Sequence, residues 1–229
     1  MIHLIGEKYR DKLEPKLCAI GAPILWLPNN PNVDQRLSGH ADLSVAFADG
    51  TIIAEKGIYT YLVNILTSRE YKILSASEQE SEYPHDAGLC VCTVGNTTIY
   101  NPKTVDQVLR QHLSGRLISV TQGYTRCSIC VVSEKAIITS DTTIYCKAKK
   151  AGIDALQIRP GYIALDGFDY GFIGGATFLL DASTMAFTGQ LSEHPDKERI
   201  LRFLREHGVS VVFLTDEPIF DIGGAVTLP

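Results

Sequence analysis

Residues 128–158 read SICVVSEKAIITSDTTIYCKAKKAGIDALQI, and the order of elements in that stretch decides the fold. Ser128 to Val132 is an apolar strand, Ser133-Glu134 a short turn and Ala136 to Thr139 a second strand. The link is too short for anything but an antiparallel hairpin, because parallel neighbours need a crossover of about a dozen residues or more. Asp141 then stands as the N-cap of a helix over Thr142 to Ala151, in which Ile144, Ala148 and Ala151 share one face. Gly152 ends the helix, and Ala155 to Ile158 is a third strand.

The same grammar recurs along the chain. Upstream come Leu43 to Phe47, the Asp49-Gly50 turn, Thr51 to Ala54, a helix with Ile58, Leu62, Ile65 and Leu66 at core spacing, and Lys72 to Leu74. Next are Leu89 to Val94, the Gly95-Asn96 turn, Thr97 to Tyr100, a Pro102-initiated helix bearing Val105, Val108 and Leu109, and Leu117 to Val120. Downstream are Ala176 to Leu180, Met185 to Phe187, a Pro195-initiated helix with Ile200, Phe203 and Leu204, and Ser210 to Leu214. Repetition at roughly 40 to 50 residues is the mark of a repeat architecture. A further copy is split across the termini, with Gly223 to Leu228 as one strand and Cys18 to Leu27 completing the unit. Ile222-Gly223-Gly224-Ala225 echoes Ile173-Gly174-Gly175-Ala176. Pairing the ends closes a ring and removes exposed strand edges. The expectation is one α/β domain over residues 1–229, a five-bladed β/α-propeller. A doubly wound parallel sheet does not accommodate the hairpins, and an all-β propeller does not accommodate the helices.

A chain of 229 residues with 45% hydrophobic and 21% charged residues can bury a substantial core. The net charge of -5 argues against a nucleic-acid partner. Lys147, Lys149 and Lys150 form the solvated side of a helix. Met1 to Leu17 is too densely charged for a secretory signal, and no apolar run reaches the roughly 18 residues of a membrane span. A soluble, cytoplasmic protein is expected. The six cysteines then read as reduced thiols. Cys90 and Cys92 alternate onto one face of a strand, while Cys127 and Cys130, in a strand, point to opposite faces. Buried structural thiols, with no metal or other cofactor, are therefore expected.

The whole pattern resembles the pentein fold, the five-bladed β/α-propeller of guanidino-group-modifying enzymes such as arginine, agmatine and dimethylarginine hydrolases. His40-Ala41-Asp42-Leu43, Gly123-Tyr124-Thr125-Arg126-Cys127, Gly171 to Ala176 and Asp221 to Ala225 are similar to an uncharacterised bacterial branch of that superfamily. The resemblance implies a C-terminal cysteine nucleophile after a glycine pair, a mid-chain histidine and acidic residues gripping the substrate's nitrogens. Gly223-Gly224 and the tail Val226-Thr227-Leu228-Pro229 are present, but Ala225 stands between them, and alanine forms no covalent intermediate. Where the enzymes carry the histidine, this chain has Phe172, Ile173, Gly174 and Gly175. His194 reads as an exposed residue capping the next helix.

In a ring of repeats, the residues ahead of each inner strand converge on the axis. Here they are His40 and Asp42, His85 and Asp86, Arg126 and Cys127, Gly174 and Gly175, and Asp221. Two carboxylates about 5 Å apart repel by roughly 3 kcal/mol at an effective dielectric near 20, so an acidic axis calls for a compensating cation. Arg126, a protonated histidine, a metal ion, or a guanidine or amine ligand would each serve. Every member also has a structural reading. The aspartates can receive backbone N–H groups, the histidines and Arg126 can be internal partners, and the glycines permit close backbone approach. Cys127 and His40 are the weak catalytic candidates, Cys127 acting only if a neighbour lowers its pKa. Tyr124 and Tyr170 are candidates for stacking on a ligand, and the Asn29–Asn32 loop for covering the mouth. The leading expectation is an acidic channel that binds or hydrolyses a small cationic guanidine or amine. The alternatives are a noncatalytic interaction protein, since the fold also occurs in a ribosome-binding translation factor, and a degenerate enzyme.

Overall fold

The computed structural model describes residues 1–66, 71–77 and 79–229. In chain order the elements are β1 (Ile2–Gly6), α1 (Arg10–Ala19), β2 (Ile24–Leu27), α2 (Ala41–Ser44), β3 (Val45–Ala48), β4 (Thr51–Ala54), α3 (Lys56–Ile65) and β5 (Lys72–Ser75). Then come β6 (Cys92–Val94), β7 (Thr97–Tyr100), α4 (Gln107–Arg110), β8 (Arg116–Ser119), α5 (Thr125–Ser128), β9 (Ile129–Ser133), β10 (Ala136–Thr139), α6 (Thr142–Lys150) and β11 (Asp154–Gln157). The last are β12 (Thr177–Asp181), β13 (Thr184–Phe187), α7 (Lys197–Glu206), β14 (Ser210–Phe213) and β15 (Val226–Leu228). The described strands form five three-stranded sheets: β15-β1-β2, β3-β4-β5, β6-β7-β8, β9-β10-β11 and β12-β13-β14.

Each sheet has the same wiring. Its first strand pairs antiparallel with the second, and the second pairs parallel with the third across a helix. The first sheet borrows its leading strand from the far end of the chain, with His3 opposite Thr227. That sheet corrects one expectation: the strands that β15 joins are Ile2–Gly6 and Ile24–Leu27, linked by a helix within the charged opening segment. Leu13 and Leu17, one turn apart, are the buried side of that helix.

Second strands are buried on both faces. Ile52, Ile53 and Ala54 of β4, and Ala136, Ile137 and Ile138 of β10, are apolar in both directions and lose almost all contact with solvent. Neighbouring sheets share core: Val132 and Ile138 pack with Met185, Phe187, Ile200 and Leu204. The leading strands gather, β15 against β3, β6 against β9 and β9 against β12, which brings the segments before them to one region.

Helix starts follow local capping rules. The carboxylate of Glu55 accepts from the Gly57 and Ile58 N–H groups, that of Asp106 from Val108 and Leu109, and that of Asp141 from Ile144. Gly152 and Gly208, with φ of 83° and 72°, close α6 and α7. The Asp141→Ala variant should therefore lose about 1 kcal/mol of unfolding free energy in urea with no change in fold. The Pro102 segment departs from expectation, since only Gln107–Arg110 is helical, behind the Asp106 cap. His194 is also corrected. It is buried, and its Nδ1 accepts at 3.0 Å from the N–H of Asp196, the residue that precedes α7. Lys147, Lys149 and Lys150 are exposed on the last turn of α6. Among the described residues no helix is long and apolar enough to cross a membrane.

Candidate functional site

The leading segments are tight turns, where the sequence reading expected strands to begin. Ala41–Ser44 and Thr125–Ser128 are single helical turns, and β3 and β9 start only after them. The same hydroxyl bond closes three such turns. Ser44 Oγ donates to the His40 carbonyl, Ser128 Oγ to that of Tyr124 and Thr177 Oγ1 to that of Ile173, at 3.1, 2.8 and 2.7 Å. A Ser or Thr four residues after the turn begins is thus the sequence signal for these segments. It also revises the cysteine reading. Cys127 lies on a turn and Cys130 in β9, while Cys90 precedes β6 and only Cys92 is in that strand.

These turns aim side chains from separate repeats at one buried cluster. Cys127 Sγ lies 2.5 Å from Asp42 Oδ2, and Cys90 Sγ lies 3.6 Å from the same oxygen. His40 packs its ring 6.3 Å from that of Tyr9. The Nε2 of His40 and the Oδ1 of Asp42 are buried and, among the described residues, have no hydrogen-bond partner. Asp221 accepts from the Phe172 N–H through Oδ2 and from the Gly223 N–H through Oδ1, both at 2.8 Å. Among the described residues no basic side chain forms an ion pair with Asp42 or Asp221.

Arg126 is spent elsewhere. Its Nη1 donates to the carbonyls of Ile129 and Gly174, and its Nη2 to that of Ala225, at 3.3, 3.4 and 3.1 Å. The guanidinium therefore ties together three leading segments. Gly174 and Gly175 are structural for a second reason. A Cβ on Gly174 would lie 2.3 Å from the Ile129 carbonyl oxygen, and one on Gly175 would lie 1.9 Å from Asp221 Oδ1. Ala225 sits buried against the same knot, where the resemblance implied a nucleophile.

Burial sets the protonation states. It pushes the Asp42 carboxyl up to about 6, opposed by the thiol of Cys127, and the Asp221 carboxyl up to about 7, opposed by its two backbone donors. It lowers His40 to about 3, so the imidazole is neutral. The Cys127 thiol is pushed well up by its bond with Cys90, by burial and by Asp42.

A cavity of about 260 Å³ opens beside this cluster, with His40, Cys127 and Asp221 at its floor and Tyr124, Phe168, Tyr170 and Phe172 as walls. Tyr124 is fixed by its hydroxyl, which donates to Asp86 Oδ2 at 2.7 Å. Asp86 thereby positions a wall, while its neighbour His85 is exposed and lines no part of this cavity. That corrects the placing of His85 among the convergent residues: its turn directs Asp86 inward and His85 outward. The Asn29–Asn32 loop is anchored beside α2, where Asn30 Nδ2 donates to Ser44 Oγ and Asn32 Nδ2 to Glu55 Oε1. Phe168 and Tyr9 have no place in the sequence reading, and Phe172 and Cys90 enter it only as the residue at the histidine position and as a strand thiol. The aromatic run 168–172 was the available signal for Phe168 and Phe172.

No curated protein matches the sequence. Solved structures do share its fold. DDAH from Pseudomonas aeruginosa, complexed with citrulline, superposes with a TM-score of 0.56 at 12% identity, covering 95% of this chain and 85% of that one. An amidinotransferase of saxitoxin biosynthesis from Microseira wollei gives 0.59 at 10% identity, over 94% and 82%. The agmatine deiminase of C. jejuni gives 0.55 at 8% identity, over 93% and 86%. The chain thus has the pentein fold, and, since the model of DUF6873, a family of unknown function, matches residues 4–226, it belongs to that family.

Proposed function

We propose that the five sheets close as blades of a ring, and that the aromatic-walled cavity at its mouth binds a small organic cation, a guanidine or an amine, against Asp221. The observation that carries this reading is the Asp221 carboxyl, which among the described residues forms no ion pair, at the floor of a pocket lined by four aromatic side chains. Aromatic faces attract a guanidinium or ammonium by about 0.5 to 2 kcal/mol each, and a buried carboxylate supplies the countercharge. Phe168 already carries a guanidinium, that of Arg36, 4.2 Å from its ring centroid. A volume of about 260 Å³ suits a small ligand. The fold neighbours include an agmatine deiminase, an amidinotransferase and a citrulline complex, so related scaffolds serve guanidino-type chemistry.

The proposal is binding rather than turnover. Ala225 offers no nucleophile, and the surroundings of Cys127 raise its thiol pKa, the opposite of what activation requires.

Calorimetric titration with arginine, agmatine, methylguanidine and putrescine tests the reading. At least one should bind, and the exposed-wall variant Tyr170→Ala should weaken it by about 3- to 30-fold without lowering Tm. Affinity should rise with pH by up to about tenfold per unit and level off above about 7, because the cation pairs with ionised Asp221, whose folded pKa is about 7. Absence of binding by all four compounds, or affinity that falls as pH rises, would remove the reading.

A further inference from the structure

We propose that His40, Asp42 and Cys127 form a binding site for a divalent transition-metal ion, with zinc as the ion their donor set fits. An imidazole nitrogen, a carboxylate oxygen and a sulfur from these residues lie within 4.8 Å of one another. Zinc bonds of about 2.0 to 2.3 Å put the donors of a tetrahedral site roughly 3 to 4 Å apart, so modest side-chain rotation completes the arrangement. The mixture of nitrogen, oxygen and sulfur donors favours zinc over calcium or magnesium, which take oxygen.

Two polar atoms of these side chains lack a hydrogen-bond partner among the described residues. They are His40 Nε2 and Asp42 Oδ1, in side chains only 2% and 1% exposed. Leaving a buried polar atom unsatisfied costs about 1 to 3 kcal/mol, and a metal ion bound through these two atoms would satisfy both. The turns that hold them are built alike. His40 and Asp42 ride on the Ser44-closed turn, and Cys127 rides on the Ser128-closed one. Cys90 Sγ donates to Asp42 Oδ2 at 3.6 Å.

Charge balances as well. Loading converts the Cys127 S–H to a metal-bound thiolate and releases the proton to solvent; with ionised Asp42 the two negative groups neutralise the dication. Three protein ligands leave a fourth position, and His40 and Cys127 also line the aromatic cavity, from which water or a ligand would fill it. An open position is the pattern of zinc sites that act on a ligand, whereas structural sites are closed. Asp221 is not a ligand of the metal and stays available to an organic cation. Metal binding is read from the stripped and reloaded protein without any organic cation, so its failure is distinguishable from failure of the cation reading.

The test uses the full chain, stripped with a chelator and then given zinc or cobalt(II). Close to one metal ion per chain should bind, with about one proton released. Cobalt should develop a thiolate-to-metal charge-transfer band together with the visible bands of a four-coordinate ion. His40→Ala and Cys127→Ser should each weaken zinc by about 100-fold or more, while Cys146→Ser, which removes an exposed thiol, should leave it unchanged. The cobalt spectrum of the unaltered protein decides the matter even if a core variant fails to fold. Less than about a tenth of a metal ion per chain, or cobalt bound without the thiolate band, would overturn the proposal. So would a folded Cys127→Ser protein with undiminished affinity.

Discussion

Replacing Arg126 with methionine should lower the unfolding free energy by about 3 to 5 kcal/mol, a large part of the roughly 5 to 15 kcal/mol that holds a domain together. Its guanidinium satisfies three carbonyls, those of Ile129, Gly174 and Ala225, and all three residues are buried. Methionine matches the stem but leaves those oxygens without donors, at about 1 to 3 kcal/mol each before relaxation. Lysine should recover less than half of the loss. An ammonium is a compact point charge and cannot present donors along the spread directions of a planar fork. Urea unfolding followed by circular dichroism reads the result as a lower midpoint at an unchanged slope. A loss below about 1 kcal/mol would mean that the guanidinium does not hold the leading segments together.

Arg126 also shows how far the sequence reading reached. Hydrophobic periodicity located the hairpins and most helices, because alternation and three-to-four spacing are local properties that survive in one dimension. It placed Asp42, Cys127 and Asp221 in one region for the same reason: each precedes the first strand of a repeat. Hydrogen bonding over long sequence separations was not legible. Nothing near Arg126 announces that its partners are main-chain oxygens as distant as Ala225, so it read as a counterion for the acidic residues. The turns were misjudged for a related reason. Leu43 and Ile129 lie in similarly apolar runs, and only the Ser44 and Ser128 hydroxyl bonds separate one helical turn from the strand that follows. The opening helix was hidden by its charge, since its buried side is essentially the pair Leu13 and Leu17. His85 and Asp86 were inseparable as neighbours in a list of residues, though the backbone sends one outward and the other against Tyr124.

Gly174→Ala should be about as damaging as loss of Arg126, at roughly 3 to 5 kcal/mol, and for a steric reason. The added Cβ would sit 2.3 Å from the Ile129 carbonyl oxygen and 2.5 Å from that of Arg126. Both obstacles are main chain in a buried turn, so no side-chain rotation relieves them, and the segment before β12 must move away from α5. That movement pulls the Gly174 carbonyl from Arg126 Nη1 and carries with it Gly175, whose N–H donates to the Cys127 carbonyl at 2.9 Å. The two substitutions therefore break one knot from opposite sides. In a double-mutant cycle their costs should fall short of additive by at least about 1 kcal/mol, where independent sites would add within about 0.5 kcal/mol. Additive losses would show that the glycine and the arginine stabilise separate regions, and that the carbonyl between them carries little of the coupling.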